Sequence, residues 1–429
     1  MDINIGNPGL SAFALMEKLN KVRVAGTDGE SEAAQAIYDE ISSMGLAPRM
    51  EPFEIDGYEI ETATLEINKP YVRSFPVTGY GLSGNTPDGG LRAEFLYAED
   101  CNDIALAHAR GKIILLNAHV KPFQYHKMVK AGVAGFITIS GLAVDERDKT
   151  DLETRMLRTD RHLKDGDNVM SKIPGVTIRA MDALEMLRDG DPEEATITLK
   201  QTEKKLTSRN IIVEIEGGDR ADEWITIGAH YDSVPFSPGM YDNASGSAII
   251  CEACRHFALN KPRRSLRFIW FGAEERGLLG SLHHITANPD EIKATKLMIN
   301  VDLAGQVIGT HQFVITAQER VGDFLRFMAQ EAGFGATVKQ DIYSSDSTAY
   351  ADAGVPSFSF LRGGTVGHSR QDIIGLCSPA AMDKSTRFML HFTSRIVNSA
   401  VLPVPPEVPE DLKDKLAIYF GRKPPEDIQ

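Results

Sequence analysis

Residues 224–246, WITIGAHYDSVPFSPGMYDNASG, decide the architecture. The apolar run WITIGAH reads as a strand, and the Pro- and Gly-punctuated stretch after it as a loop. NASGSAIICEACRHFAL, which follows Asp242, then reads as a helix. The same rhythm continues downstream. SLRFIWF (265–271) is a strand and the segment from Leu278 a helix. KLMINVD (296–302) is a strand, VGDFLRFMAQEAG (321–333) a helix, VPSFSFL (355–361) a strand, and 378–400 a closing helix. Strands alternating with helices of this length predict an α/β fold, with a mixed, mostly parallel central sheet flanked by helices on both faces.

Upstream, residues 11–46 read as two helices, the second with Ala33, Ile37, Ile41 and Met44 at helical spacing and Gly45 as its stop. Residues 48–68 alternate and suggest extended strands. Between 69 and 200, Gly and Pro break up short apolar runs (GKIILLN, AGFITIS, IPGVTI), which predicts a smaller β-rich inserted domain. The charged run 145–167 reads as a solvated loop or exposed helix, with a cover over a functional site as the alternative. The expected divisions are therefore 1–68 and 201–402 for the main domain, 69–200 for the insertion, and 403–429 for a Pro-rich extension. Two domains fit the length, since 429 residues exceed what one core fills.

A net charge of −14 argues against nucleic acid or an anionic membrane as partner. No basic start with an apolar run and no long apolar stretch is visible, so a cytoplasmic protein that does not span a membrane is expected. The four cysteines fit that compartment as free core thiols. The Cys251–Cys254 spacing lacks the strand-to-helix setting of a redox motif.

Acidic and imidazole residues follow the strands of the second half. His230 and Asp232 follow the first, and Asp242 opens the next helix. Glu274 and Glu275 follow the second strand, Asp302 ends the third, and His368 and Asp372 follow the last. In such sheets, sites gather at the carboxyl ends of strands. Buried carboxylates and imidazoles need partners or metal. Two His with several carboxylates suit zinc, and two metals sharing one bridging carboxylate need about five protein ligands. Of the adjacent Glu274 and Glu275, one can ligate while its neighbour stays free to take a proton.

The ordered motifs HYDS, YDNASG, GAEERGLLGS, NVDLAG and GHSRQD resemble those of the co-catalytic zinc metallopeptidase family 28. RVAGTDGESEAAQAIYDEISSMGL resembles that family's opening helices, and 69–200 its inserted protease-associated domain. The resemblance implies the zinc exopeptidase fold and two Zn²⁺ per chain, with Co²⁺ or Mn²⁺ as substitutes. It implies that Asp242 bridges the metals across a cis peptide to Asn243. One metal would add His230 and Asp302, the other Glu275 and His368. Glu274 would be the general base, Asp232 would orient His230, and Tyr343 would be the nearest match to the oxyanion donor, one residue out of register. The implied substrate is a peptide with a free N-terminus, because NVDLAG resembles the aminopeptidase branch. A carboxypeptidase or dipeptidase of the same fold (Arg362 reading a carboxylate), a single-zinc glutaminyl cyclase and a non-catalytic scaffold are the competing readings. His119, His126, His283 and His284 read as structural, and the sequence fixes no oligomeric state.

Overall fold

The computed structural model describes residues 6–117, 119–141, 152, 155–364 and 366–423. The chain forms two compact units, one of Met1–Ile55 with Thr207–Tyr419, the other of Asp56–Leu206 with Phe420–Gln429. The divisions fall inside two long strands, Arg49–Lys69 and Glu194–Ile215.

In the first unit the sheet order is Ala336–Gln340, His311–Thr316, Ser357–Arg362, Thr295–Val301, Arg220–His230, Arg264–Phe271, Glu194–Ile215. The Arg220–His230 strand pairs in parallel with both neighbours, and Thr295–Val301 pairs in parallel with Ser357–Arg362. His311–Thr316 and the final segment of Glu194–Ile215 run antiparallel to their inner partners. The sheet is mixed and mostly parallel, as expected. Arg264–Phe271 is buried at every position, which is why its sequence shows no alternation.

Helices Pro8–Lys18, Ser245–Leu259 and Pro379–Val397 pack on one another. They share one core with the sheet, in which Leu15, Ile250, Trp270, Phe313 and Phe388 are almost fully buried. Two strands, His311–Thr316 and Ala336–Gln340, and the helix Asp346–Asp352 add to the elements expected from sequence. His311–Thr316 is short, and Ala336–Gln340 is an edge strand with no fully buried residue, so neither carries a strong apolar period.

In the second unit, Leu91–Tyr97, Ile113–Leu116, Gly135–Ser140 and Gly175–Arg179 pair in parallel, with Val77–Gly79 antiparallel at the edge. Helices Pro122–Ala131 and Ala180–Arg188 accompany them. Part of the charged run 145–167 lies outside the described residues. In its described part the solvated reading holds only in part: Thr159, Asp160, Lys164, Gly166 and Asp167 are exposed, but Leu157, Arg161, His162 and Leu163 are buried. The His162 ring has both nitrogens occupied, one accepting from Arg158 N and the other bonded to Val120 O, so a polar sequence here closes onto a core. All four cysteines are free and buried. Among the described residues no helix is long and apolar enough to cross a membrane.

Candidate metal centre

Parallel pairing aligns the strand ends that carry the chemistry. His230 is in register with Phe271, and Val301, the residue before Asp302, with Phe360. Beyond those ends the backbone bends sharply. Ala273, Leu303 and His368 have φ of 54°, 52° and 56°, a region that residues with a Cβ seldom adopt. Ala273 precedes Glu274, Leu303 follows Asp302, and His368 is itself a candidate ligand. Such strain persists where surrounding structure fixes it, and functional sites are where it collects.

Asp242 and Asn243 are non-helical, and the helix Ser245–Leu259 that follows them starts tight against the end of the Thr295–Val301 strand. A Cβ on Gly246 would lie 2.3 Å from Val301 O, so only glycine allows this approach. Asn243 ties the same region together, with Nδ2 donating to Val301 O at 2.9 Å and Oδ1 accepting from Gly246 N and Leu303 N. The Asp242–Asn243 peptide is cis.

Asp242 faces two groups of side chains. Its Oδ1 lies 3.2 Å from His230 Nε2, which is also 3.5 Å from Asp302 Oδ1. Its Oδ2 lies 3.2 Å from His368 Nε2, which is 3.0 Å from Glu275 Oε2. Each trio can place one donor atom apiece around a common point. Glu275 Oε1 and Asp302 Oδ1 are buried and make no hydrogen bond. Buried carboxylate oxygens left so are costly unless a cation meets them, and the donor set of imidazole nitrogen and carboxylate oxygen is one zinc accepts. The residues fit the group.

The electrostatics agree. Glu275 and Asp242 push the His368 pKa to about 12, against the effect of burial. Burial opposes charging His230 too, yet Glu274, Asp232, Asp242 and Asp302 hold its pKa well above the ordinary value. Burial, with Glu275 and Asp346 adding repulsion, raises Glu274 well above the carboxylate range despite the attraction of His230. The cluster's field favours positive charge at its centre.

Asp232 is buried and clamps the turn bearing the two glutamates: its oxygens accept from Glu274 N at 3.0 Å and Glu275 N at 3.1 Å. It also faces His230 Nδ1 at 3.4 Å, a contact rather than a formed hydrogen bond. Tyr343 is partly buried. Burial and the charges of Asp302, Asp242 and Glu274 raise its pKa, which puts its hydroxyl in the field of the cluster.

Three residues outside the expected set also support this site. Asp372 accepts from Tyr241 N at 2.6 Å and from Asp242 N at 2.9 Å, gripping the backbone of the shared carboxylate. Arg23, fully buried, donates to the carbonyls of Tyr231 at 2.6 Å and Gly239 at 2.9 Å, and to that of Pro238. It thereby gathers the loop between His230 and Asp242. Asp346 is buried, and burial raises its pKa to about 7. Asp372 was visible in GHSRQD as one more acid after a strand. Nothing in the sequence around Arg23 marks it as interior.

Other candidates are engaged elsewhere. His284 Nδ1 lies 3.1 Å from Glu51, and His283 stacks on Phe53. His126 Nε2 bonds to Arg161 O. Arg362 donates to Gln306 O and Val307 O and meets His311.

Residues 210–393 match the sequence profile of Peptidase family M28. The match spans less than half of the chain. Among curated proteins the chain is 29% identical over 366 residues to aminopeptidase YwaD of Bacillus subtilis (strain 168), covering 82% of this chain and 75% of that one. It is 28% identical over 317 residues to leucine aminopeptidase 2 of Trichophyton rubrum, covering 71% of this chain and 59% of that relative. Among solved structures, a zinc aminopeptidase from Bacillus subtilis superposes with a TM-score of 0.75 at 26% identity, covering 96% of this chain and all of that one.

Proposed function

We propose that the chain is a zinc-dependent exopeptidase, and within that class an aminopeptidase holding two zinc ions. The observation that carries the reading is Asp242, whose two oxygens face two separate His–carboxylate pairs. His230 and Asp302 would hold one zinc, Glu275 and His368 the other. When bound, the metals supply Lewis acidity toward the scissile carbonyl and acidify water.

The protein's own part is positioning and proton transfer. Asp232 fixes the turn so that Glu275 ligates while Glu274 accepts the water's proton and returns it to the departing amine. Tyr343 donates its O–H to the oxygen that gains negative charge. The substrate's free α-amine fits a site rich in carboxylates. The relatives named aminopeptidases support this choice. Against the carboxypeptidase reading, the Arg362 guanidinium already serves two carbonyls and an imidazole, so it is not available to a substrate carboxylate. The Asp56–Leu206 unit is proposed as the protease-associated insertion, and four free buried thiols support a cytoplasmic setting.

Aminoacyl-p-nitroanilides, assayed beside N-blocked dipeptides, test the reading. Hydrolysis of the free-amine substrates is expected, abolished by chelator. Glu274→Gln is expected to lose about 10²–10⁴ in kcat while retaining zinc. Cleavage of the blocked peptides alone would replace the aminopeptidase with the carboxypeptidase.

A further inference from the structure

The chain beyond residue 393, where the profile match ends, folds back onto the first unit. Residues Glu410–Tyr419 form a helix that packs on Asp346–Asp352. Leu412 and Leu416, one turn apart on its inner face, are each 1% exposed, and Val404 and Val408 ahead of it are buried. The helix therefore docks through an apolar face and is not a loose tail.

Polar contacts tie it to the segment ahead of Asp346. Lys415 Nζ donates to Asp341 Oδ1 at 2.8 Å, and the hydroxyls of Tyr419 and Ser344 are 2.7 Å apart. Asp341 and Ser344 bracket Tyr343. Asp341 is also held by Lys339, and its Oδ1 accepts from Ile342 N at 3.0 Å, so the carboxylate that Lys415 engages shapes the backbone entering Tyr343. On the far side, Ser345 N donates to Tyr343 O at 2.7 Å and Asn300 Nδ2 to Ser345 Oγ at 2.8 Å.

We propose that the C-terminal helix is a strap that positions Tyr343 over the metal centre. This rests on the reading of Tyr343 as the donor to the developing oxyanion. A phenol hydroxyl contributes to a transition state only when held within hydrogen-bond distance and angle, and both fall off steeply. Tyr343 stands on an irregular segment between a strand that ends at Gln340 and a helix that starts at Asp346. Such a segment has no ladder of its own to fix it. The exposed Lys415–Asp341 pair contributes little alone. Combined with the Tyr419 contact and the docked leucines, it fastens the chain on both sides of the functional residue. Lys415 and Tyr419 are positioning residues: they act through Tyr343 and touch neither substrate nor metal.

The experiment uses the full-length zinc-loaded protein and four forms: wild type, Lys415→Met with Tyr419→Phe, Tyr343→Phe, and all three changes together. The readouts are kcat and KM on an aminoacyl-p-nitroanilide, bound zinc, Tm, and amide exchange across 341–346. The strap predicts that the double variant loses about tenfold in kcat, since small misplacements of a catalytic group cost up to about 10²-fold. KM, zinc content and Tm should hold, and exchange at 341–346 should quicken. Adding the strap changes to Tyr343→Phe should cost nothing more, because both act through one hydroxyl. The proposal is overturned if kcat is unchanged in the double variant. It is equally overturned if the loss adds in full to that of Tyr343→Phe, or if zinc and Tm fall with kcat. Should Tyr343→Phe alone leave kcat intact, the donor reading fails and the strap goes with it.

Discussion

Asp242 is held by its backbone as much as by its side chain. Asp372 uses both carboxylate oxygens on the N–H groups of Tyr241 and Asp242, so the position of the carboxylate that faces both His–carboxylate pairs depends on a residue outside those pairs. Replacing it with alanine strands two buried donors, at about 1–3 kcal/mol each. Asp372→Ala is therefore expected to lose a few kcal/mol in denaturant unfolding. By releasing the ligand it should also weaken zinc binding about 10–100-fold in a competition titration. Unchanged zinc affinity would show that Asp242 keeps its place unaided. At this scale the sequence was most readable where an acid or imidazole ends an apolar strand, as with His230 and Asp302, because burial of such groups demands a reason. Arg23 was not readable. An arginine between two helices is usually a surface residue, and only the folded loop 231–239 shows that its guanidinium meets a cage of carbonyls.

At the scale of elements, the parallel strands were legible because burial on both faces leaves continuous apolar runs, and the helices because their stripes end in clear stops. The edge was not. His311–Thr316 runs antiparallel beside Ser357–Arg362 and brings a histidine into the core, where His311 stacks on Phe360 and meets Ser385 at 3.0 Å. Burial, with Arg362 and Lys384 adding repulsion, lowers its pKa to about 3. Between that value and the unfolded value of about 6.5, the unfolded chain binds the proton and the folded chain does not. Stability from this group is thus complete above about pH 6.5 and is lost as pH falls toward 3. At pH 5 the loss is about 2 kcal/mol. His311→Gln should flatten that part of the profile, so urea unfolding of both proteins at pH 7 and pH 5 is the check. Parallel profiles would remove His311 from the account.

For the whole molecule, the centre gathers carboxylates that repel one another, and a cation that binds only the folded chain stabilises it in proportion to the logarithm of its concentration. Chelation is expected to lower Tm by several degrees, and zinc to restore it; a chelator-insensitive Tm would mean that the cluster is stable without a cation. The sequence changes texture near residues 69 and 200, whereas the two compact units divide at 56 and 206. Those boundaries were not legible, because each falls within a continuous strand that gives the sequence no seam.

The buried thiols have a consequence of another kind. Burial raises the pKa of Cys101 to about 11 and those of Cys254 and Cys377 to about 12, with Cys251 also well above its ordinary value, so none is nucleophilic while its surroundings stay closed. Cys101 belongs to the Asp56–Leu206 unit and the other three to the peptidase unit. The chain thus carries its own stopwatch. The rate at which an alkylating reagent marks Cys101, set against the rate for the other three, times how often each unit opens, with no label engineered in.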